Sequence, residues 1–364
     1  MSAVESRLVG PVRVVGVGLL GTSIALGLRA RGVDVILSDA SPTNVSIAID
    51  YGAGRRAGDA DEPQLIVVCV PPDVTASVIV RELSAYPRAV VTDVASVKKP
   101  VLDAVAAAGG DLSRYVGSHP LAGREKGGPM SGRADLFVGR PWVVAGHEGI
   151  SYQAAAAVDD LILDLGATLV EMTAEEHDTS VALISHAPQV ISTLMARRLI
   201  DAPAAAVGLA GGGVRDVTRI AASDPALWVQ ILGANAAPTA SVLRALRDDL
   251  DEVIGALESS GASDTAWRRT VAEALAAGNA GVERLPGKHG QDRRYAQLVV
   301  MVDDAPGELA RLFAEVGEEG VNLEDLRLEH SPGAQIGLAE LSVLPETVDK
   351  LTAALAARGW RIAG

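Results

Sequence analysis

The first residues able to do chemistry are Val14-Val15-Gly16-Val17-Gly18-Leu19-Leu20-Gly21, a G-x-G-x-x-G that follows an apolar run and opens a helical pattern. In that context the spacing reads as a dinucleotide fingerprint. Gly16 permits the tight turn, Gly18 lets the backbone approach a pyrophosphate, and Gly21 allows close helix–strand packing. Leu19 and Leu20 begin a helix whose free N–H groups and positive dipole end suit phosphates. Asp39 ends the next strand-like run, where a carboxylate accepts hydrogen bonds from ribose hydroxyls. It would repel a 2′-phosphate, and no Arg follows within Ala40–Asn44, so NAD is favoured over NADP. FAD is a rival, with no further flavin signature in the chain.

The next polar cluster is Gly117-Ser118-His119-Pro120-Leu121-Ala122-Gly123-Arg124-Glu125, read as lying past a strand end. A histidine there can take a proton from a substrate hydroxyl while hydride leaves the same carbon. The competing reading is a loop histidine bonded only to backbone. Two further runs, Leu65–Val70 into Pro71-Pro72 and Ala89–Asp93 into Ala95-Ser96, end where ligands of parallel sheets bind. Val70, Pro71 and Asp93 are therefore expected beside the cofactor. His147 and His177 read as loop or helix-surface residues without partners, and His289 and His330 as linker or loop residues. No spacing suggests a metal site.

The runs Val12–Val17, Val33–Ser38, Leu65–Val70, Ala89–Thr92 and Trp142–Ala145 are short and rich in β-branched residues. Helical patterns such as Ser23–Arg31 and Thr75–Ser84 lie between several of them, and Ala167–Met172 could be a last strand. The alternation predicts α/β architecture: a Rossmann-type, doubly wound parallel sheet over residues 1–172. Residues 174–200 read as one long helix with room for a kink near Pro188, and an all-helical domain is expected over 173–280. Residues 281–292 have the glycine and proline content of a linker. Period-2 patterning then returns. Tyr295–Val302, Val321–Glu329, Ile336–Leu344 and Trp360–Ala363 read as strands, with helices over Gly307–Glu319 and Glu346–Arg358. That order, over 293–364, is a ferredoxin-like βαββαβ.

Composition limits the partners. A net charge of −14 argues against a nucleic-acid surface, which needs clustered cations. One or two local arginines could still hold a small anion. The single cysteine, Cys69, cannot form an intrachain disulfide and sits in an apolar run, which fits a buried thiol in a reducing compartment. With no signal pattern and no clean apolar span, a cytoplasmic protein without membrane contact is expected.

Taken together, several of these motifs resemble the prephenate/arogenate dehydrogenase family. The resemblance rests on Gly16–Gly21, the turn Asp93-Val94-Ala95-Ser96-Val97-Lys98, and Ser118–Glu125. It extends through Gly211-Gly212-Gly213-Val214-Arg215-Asp216-Val217-Thr218-Arg219-Ile220-Ala221, Ser223-Asp224-Pro225 and Trp228. The C-terminal Asp304-Ala305-Pro306-Gly307-Glu308-Leu309 and Asn322 resemble an ACT regulatory domain.

The resemblance implies oxidative decarboxylation of prephenate to 4-hydroxyphenylpyruvate in tyrosine synthesis. Hydride would leave C4 for NAD while His119 accepts the hydroxyl proton, and loss of CO2 would make the ring aromatic. Ser96 would orient His119 or contact the hydroxyl. Ser118 would touch substrate, and Glu125 would gate or select its tail. Arg219 would bind a substrate carboxylate through its planar fork, with a salt bridge to Asp216 as the plainer reading. Arg215 would play a weaker electrostatic role. Gln189 stands where some relatives carry a second histidine, leaving prephenate against arogenate open. A homodimer is implied, and Asp304, Pro306, Gly307 and Asn322 would bind an effector such as tyrosine. Two other classes share parts of the pattern. A β-hydroxyacid dehydrogenase would need a lysine after the glycine run, and a NAD-binding sensor would not need Ser96, His119 and Arg219 together.

Overall fold

The computed structural model describes residues 6–123, 127–261, 266–285, 295–330 and 336–363. The chain divides into two compact units, Met1–Asp201 with Thr218–Ala245 and Ala202–Val217 with Leu246–Gly364.

The first unit is built on an eight-stranded sheet. Its strands are β1 (Val12–Val15), β2 (Val35–Ser38), β3 (Arg55–Arg56), β4 (Leu65–Val68), β5 (Val90–Asp93), β6 (Tyr115–Pro120), β7 (Pro141–Gly146) and β8 (Thr168–Thr173). Their order is β3-β2-β1-β4-β5-β6-β7-β8. β1, β4 and β5 are buried along their whole length, as continuous apolar strands require. Alternate residues feed opposite cores: Val14 and Val67 pack with Leu28 and Trp142 on one face, Val15 and Val68 with Ile79 and Tyr115 on the other.

The Rossmann-type sheet departs from expectation in two details. β7 runs antiparallel to β6, although β5–β6 and β7–β8 are parallel. In addition, His119 lies within a strand rather than in a loop beyond one. Gly, Ser and Pro carry little strand preference, but hydrogen-bonded neighbours on both edges override it.

The single helix expected over 174–200 is instead a helix Ala174–Val181, a π-turn Ala182–His186 and a helix Ala187–Arg197. Thr173 starts the first with a capping box. Its hydroxyl accepts the Glu176 N–H at 3.2 Å, and the Glu176 carboxylate accepts the Thr173 N–H at 2.8 Å. Pro188 falls in the first turn of the later helix, where its missing N–H costs little. Among the described residues, 174–285 contain helices and turns but no strand. No single described helix is long and apolar enough to cross a membrane.

Within the second unit, β9 (Ala296–Asp303), β10 (Asp325–His330), β11 (Ile336–Val343) and β12 (Arg361–Ala363) form an antiparallel sheet ordered β10-β11-β9-β12. Helices Glu308–Glu318 and Pro345–Ala357 complete a βαββαβ succession. β11 alternates strictly between covered and half-covered residues, which is why its period was legible. Val300, Leu312, Leu341, Leu351 and Leu355 form this unit's core.

Candidate active site

Strand register sets the geometry. Val15 pairs with Val68, Val68 with Asp93, and Asp93 with Gly117 across four adjacent parallel strands. One step past this row the chain enters the Gly16 turn. Two residues past it on β6 stands His119. The glycine turn and the imidazole therefore share the carboxyl edge of the sheet, where ligands of such folds bind.

At that edge Gly16 has φ +95°, a left-handed conformation that glycine tolerates, and a Cβ there would lie 2.4 Å from the Cys69 carbonyl oxygen. A Cβ on Gly21 would lie 1.9 Å from the Gly16 carbonyl oxygen. Gly18 differs: a Cβ there would meet nothing within 4 Å, so open space faces this backbone. Helix Leu19–Ala30 begins here with no side-chain cap and no acid in its first turn. Its N–H groups are thus left for an external anion. The Asp39 carboxylate accepts the Val17 N–H at 2.8 Å and the Ser41 N–H at 2.7 Å, which anchors it at the end of β2. Val70 Cγ1 would stand 3.1 Å from a Gly16 Cβ, so Val70 borders the turn, and Pro71 is exposed beside it. This cradle fits a dinucleotide.

His119 sits in a histidine-rich cluster. Its Nδ1 is 2.9 Å from His177 Nε2, with the rings edge to face at 75°. His177 is fully buried, and its Nδ1 is 2.7 Å from Asp178 Oδ1. The Asp178 carboxylate also accepts the Lys98 N–H at 2.7 Å and the Lys99 N–H at 2.9 Å. Asn235 Nδ2 donates to the Asp178 carbonyl at 2.7 Å and lies 3.0 Å from His186 Nδ1. His119 Nε2 has no partner among the described residues. Burial first, and after it the neighbouring His177, Lys98 and His186, hold His119 well below the usual imidazole range. The residue keeps partial solvent access, which tempers the shift without changing its direction. Burial likewise lowers His186. The cluster thus holds a neutral imidazole with one free nitrogen, the form a proton acceptor needs.

Several expectations are corrected here. His177 is an inner member of this cluster, not a surface residue. His147 also has a partner, the Tyr115 carbonyl at 3.0 Å. The Ser118 side chain does not face a substrate. It is fully buried, donates to the Asp93 carbonyl at 2.8 Å, and receives Trp142 Nε1 at 3.0 Å and the Thr92 hydroxyl at 3.1 Å. Asp93 is likewise sealed inside rather than open to a cofactor. It pairs with the Lys98 ammonium and accepts the Tyr115 hydroxyl at 2.8 Å and the Ala95 N–H at 2.8 Å. Buried acid and buried lysine satisfy each other. Ser96 is half-exposed after β5, but the partner of His119 Nδ1 is His177, not Ser96.

Arg219 opens a short 3-10 turn, Arg219–Ala221, packed on helix Ala187–Arg197 in the first unit. Its side chain is exposed. Gln189 Nε2 donates to the Ser223 hydroxyl at 2.7 Å, joining the same two segments. Arg215 belongs to the second unit, on helix Gly212–Thr218. Glu125 and His289 lie outside the described residues. Also in the second unit, Asp304 and Pro306 are exposed, Gly307 at φ +96° starts the helix Glu308–Glu318, and Asn322 Nδ2 donates to Glu324 at 2.8 Å. The reading of the sequence missed His177, Asp178 and Asn235. Only the adjacent His177-Asp178 pair hinted at them, and nothing in its spacing points to His119.

Comparison with known proteins agrees with this geometry. Residues 24–171 match the family model described as prephenate dehydrogenase, nucleotide-binding domain, and residues 173–270 match prephenate dehydrogenase, dimerization domain. The chain is 36% identical over 353 residues to "Probable prephenate dehydrogenase NovF" of Streptomyces niveus, covering 95% of this chain and 98% of the relative. It is 26% identical to prephenate dehydrogenase of Bacillus subtilis, covering 87% of each. Among solved structures, prephenate dehydrogenase from A. aeolicus in complex with hydroxyphenyl propionate and NAD+ is similar with a TM-score of 0.67 at 23% identity, covering 76% of this chain and 100% of that one. At that identity the likeness establishes the shared fold. The nucleotide-binding match, the glycine cradle and the full-length likeness to NovF together place the chain in the prephenate dehydrogenase family of NAD-dependent oxidoreductases.

Proposed function

We propose that this chain oxidises and decarboxylates prephenate to 4-hydroxyphenylpyruvate, with His119 as the general base. What supports the reading is a neutral imidazole at the carboxyl edge of the sheet, its Nδ1 engaged and its Nε2 unpartnered among the described residues. NAD, held by Gly16, Gly18, Gly21, the helix start at Leu19 and Leu20, Asp39, Val70 and Pro71, supplies the hydride acceptor when bound. His119 Nε2 takes the C4 hydroxyl proton, Ser96 contacts the same hydroxyl, and Arg219 holds a substrate carboxylate through its guanidinium fork. The ring carboxylate leaves as CO2, its bonding electrons make the ring aromatic, and the proton held at His119 returns to the phenolic oxygen.

The experiment is NADH formation with prephenate and arogenate side by side, each with NAD and NADP. Prephenate with NAD is expected to be the productive pair. Turnover with arogenate alone would reassign the substrate. Replacing Arg219→Ala should weaken substrate binding by about 1.5–3 kcal/mol, the worth of a charge-assisted hydrogen bond, and raise KM.

The proposal extends to organisation. Residues 1–172 serve the cofactor, 173–280 bind substrate and pair two chains into a homodimer, 281–292 link, and 293–364 act as an ACT-like regulatory domain. Tyrosine would bind that domain at Asp304, Pro306, Gly307 and Asn322.

A further inference from the structure

We infer that His177 and Asp178 are positioning residues for His119: they select the ring nitrogen that takes the proton and carry the charge that results. The inference rests on the reading of His119 as the proton acceptor.

One line of hydrogen bonds fixes where each proton sits. The Asp178 carboxylate accepts the Lys98 and Lys99 amides, and it faces His177 Nδ1 at 2.7 Å. A carboxylate only accepts, so His177 Nδ1 carries the hydrogen. Neutral His177 then offers Nε2 as a bare acceptor, and the group facing it is His119 Nδ1 at 2.9 Å. That nitrogen must donate. The lone pair of His119 is therefore on Nε2, the nitrogen without a protein partner among the described residues. A flipped chain of tautomers would set a hydrogen of His119 where the substrate hydroxyl hydrogen must arrive.

The same line accommodates the charge. When the substrate O–H bond breaks and an N–H bond forms at His119 Nε2, the ring becomes a cation. The buried site and the nearby Lys98 ammonium disfavour that charge. Lys98 is itself paired with Asp93. Passing the Nδ1 hydrogen across the 2.9 Å bond to His177 Nε2 moves the cation to a ring that faces Asp178. Asp178 is in turn fixed by the two amides at the start of helix Lys99–Ala107, whose dipole favours an anion. The return of the proton to the product oxygen reverses both transfers, and no further reactant is needed.

The test compares wild type, His177→Gln, His177→Leu and His119→Asn. Gln can still accept from His119 Nδ1 but cannot take a proton; Leu can do neither. Expected is a fall in kcat with substrate KM unchanged, larger for Leu, and within the ~10²–10⁴-fold that a general base supplies. The acid limb of the kcat/KM profile belongs to the coupled His119–His177 pair, and it should move to lower pH in His177→Gln, because the proton then has only the buried His119 ring and no path to the imidazole beside Asp178. If His177→Gln keeps wild-type kcat and an unmoved limb while His119→Asn is inactive, the positioning role is wrong and the base stands. If His119→Asn turns over normally, the base reading itself fails. Should the His177 variants not fold, nitrogen NMR of imidazole-labelled wild type decides. His119 should carry its hydrogen on Nδ1, and a hydrogen on Nε2 would overturn the inference.

Discussion

His119 illustrates how a single residue couples folding to acidity. Its folded value lies well below the ordinary 6.5, so the folded chain resists protonation that the unfolded chain accepts. This contribution to stability is fully present above about pH 6.5 and is lost as pH falls through the folded value. Melting temperature should therefore drop more steeply with acid in wild type than in His119→Asn, whose side chain does not titrate. Parallel slopes in thermal unfolding would contradict the assignment. At this scale the sequence revealed what a motif encloses. Gly16, Gly18, Gly21 and Asp39 were legible because their spacing alone implies a turn. Ser118 and Asp93 were misplaced because their side chains are buried against Trp142, Tyr115 and Lys98 instead of facing the open edge. His177 was invisible because its meaning depends on a partner 58 residues away.

Elements explain which substitutions the fold can bear. Helix Leu19–Ala30 meets the glycine turn so closely that a Cβ on Gly21 would sit 1.9 Å from a backbone oxygen. Gly21→Ala should thus cost about 1–3 kcal/mol of stability or more through overpacking. Gly18→Ala meets open space at φ −74°, so it should melt like wild type while raising KM for NAD. An unchanged KM for NAD in Gly18→Ala would remove that backbone from the cofactor site. Strand and helix types followed from periodicity where packing matches it, as in β11. They failed where tertiary pairing outweighs local preference, as in β6. They also failed where a π-turn interrupts a pattern that reads as one helix. That turn brings His186 to Asn235 and so to the carbonyl of Asp178.

On the scale of the whole molecule, the C-terminal βαββαβ had a clear signature, since β9 and β11 alternate over a small core of their own. Both family models end before it, at residue 270 at the latest. If it regulates, tyrosine should bind the full chain and change the rate of prephenate oxidation. Calorimetry showing no heat and kinetics showing no change would leave it as a structural module. The central claim is simpler and concerns one imidazole. It is tested most directly by kcat for NADH formation from prephenate and NAD, measured for folded His119→Asn against wild type. The expected result is a loss of roughly 10²–10⁴-fold with substrate binding largely retained; turnover near the wild-type rate would contradict it.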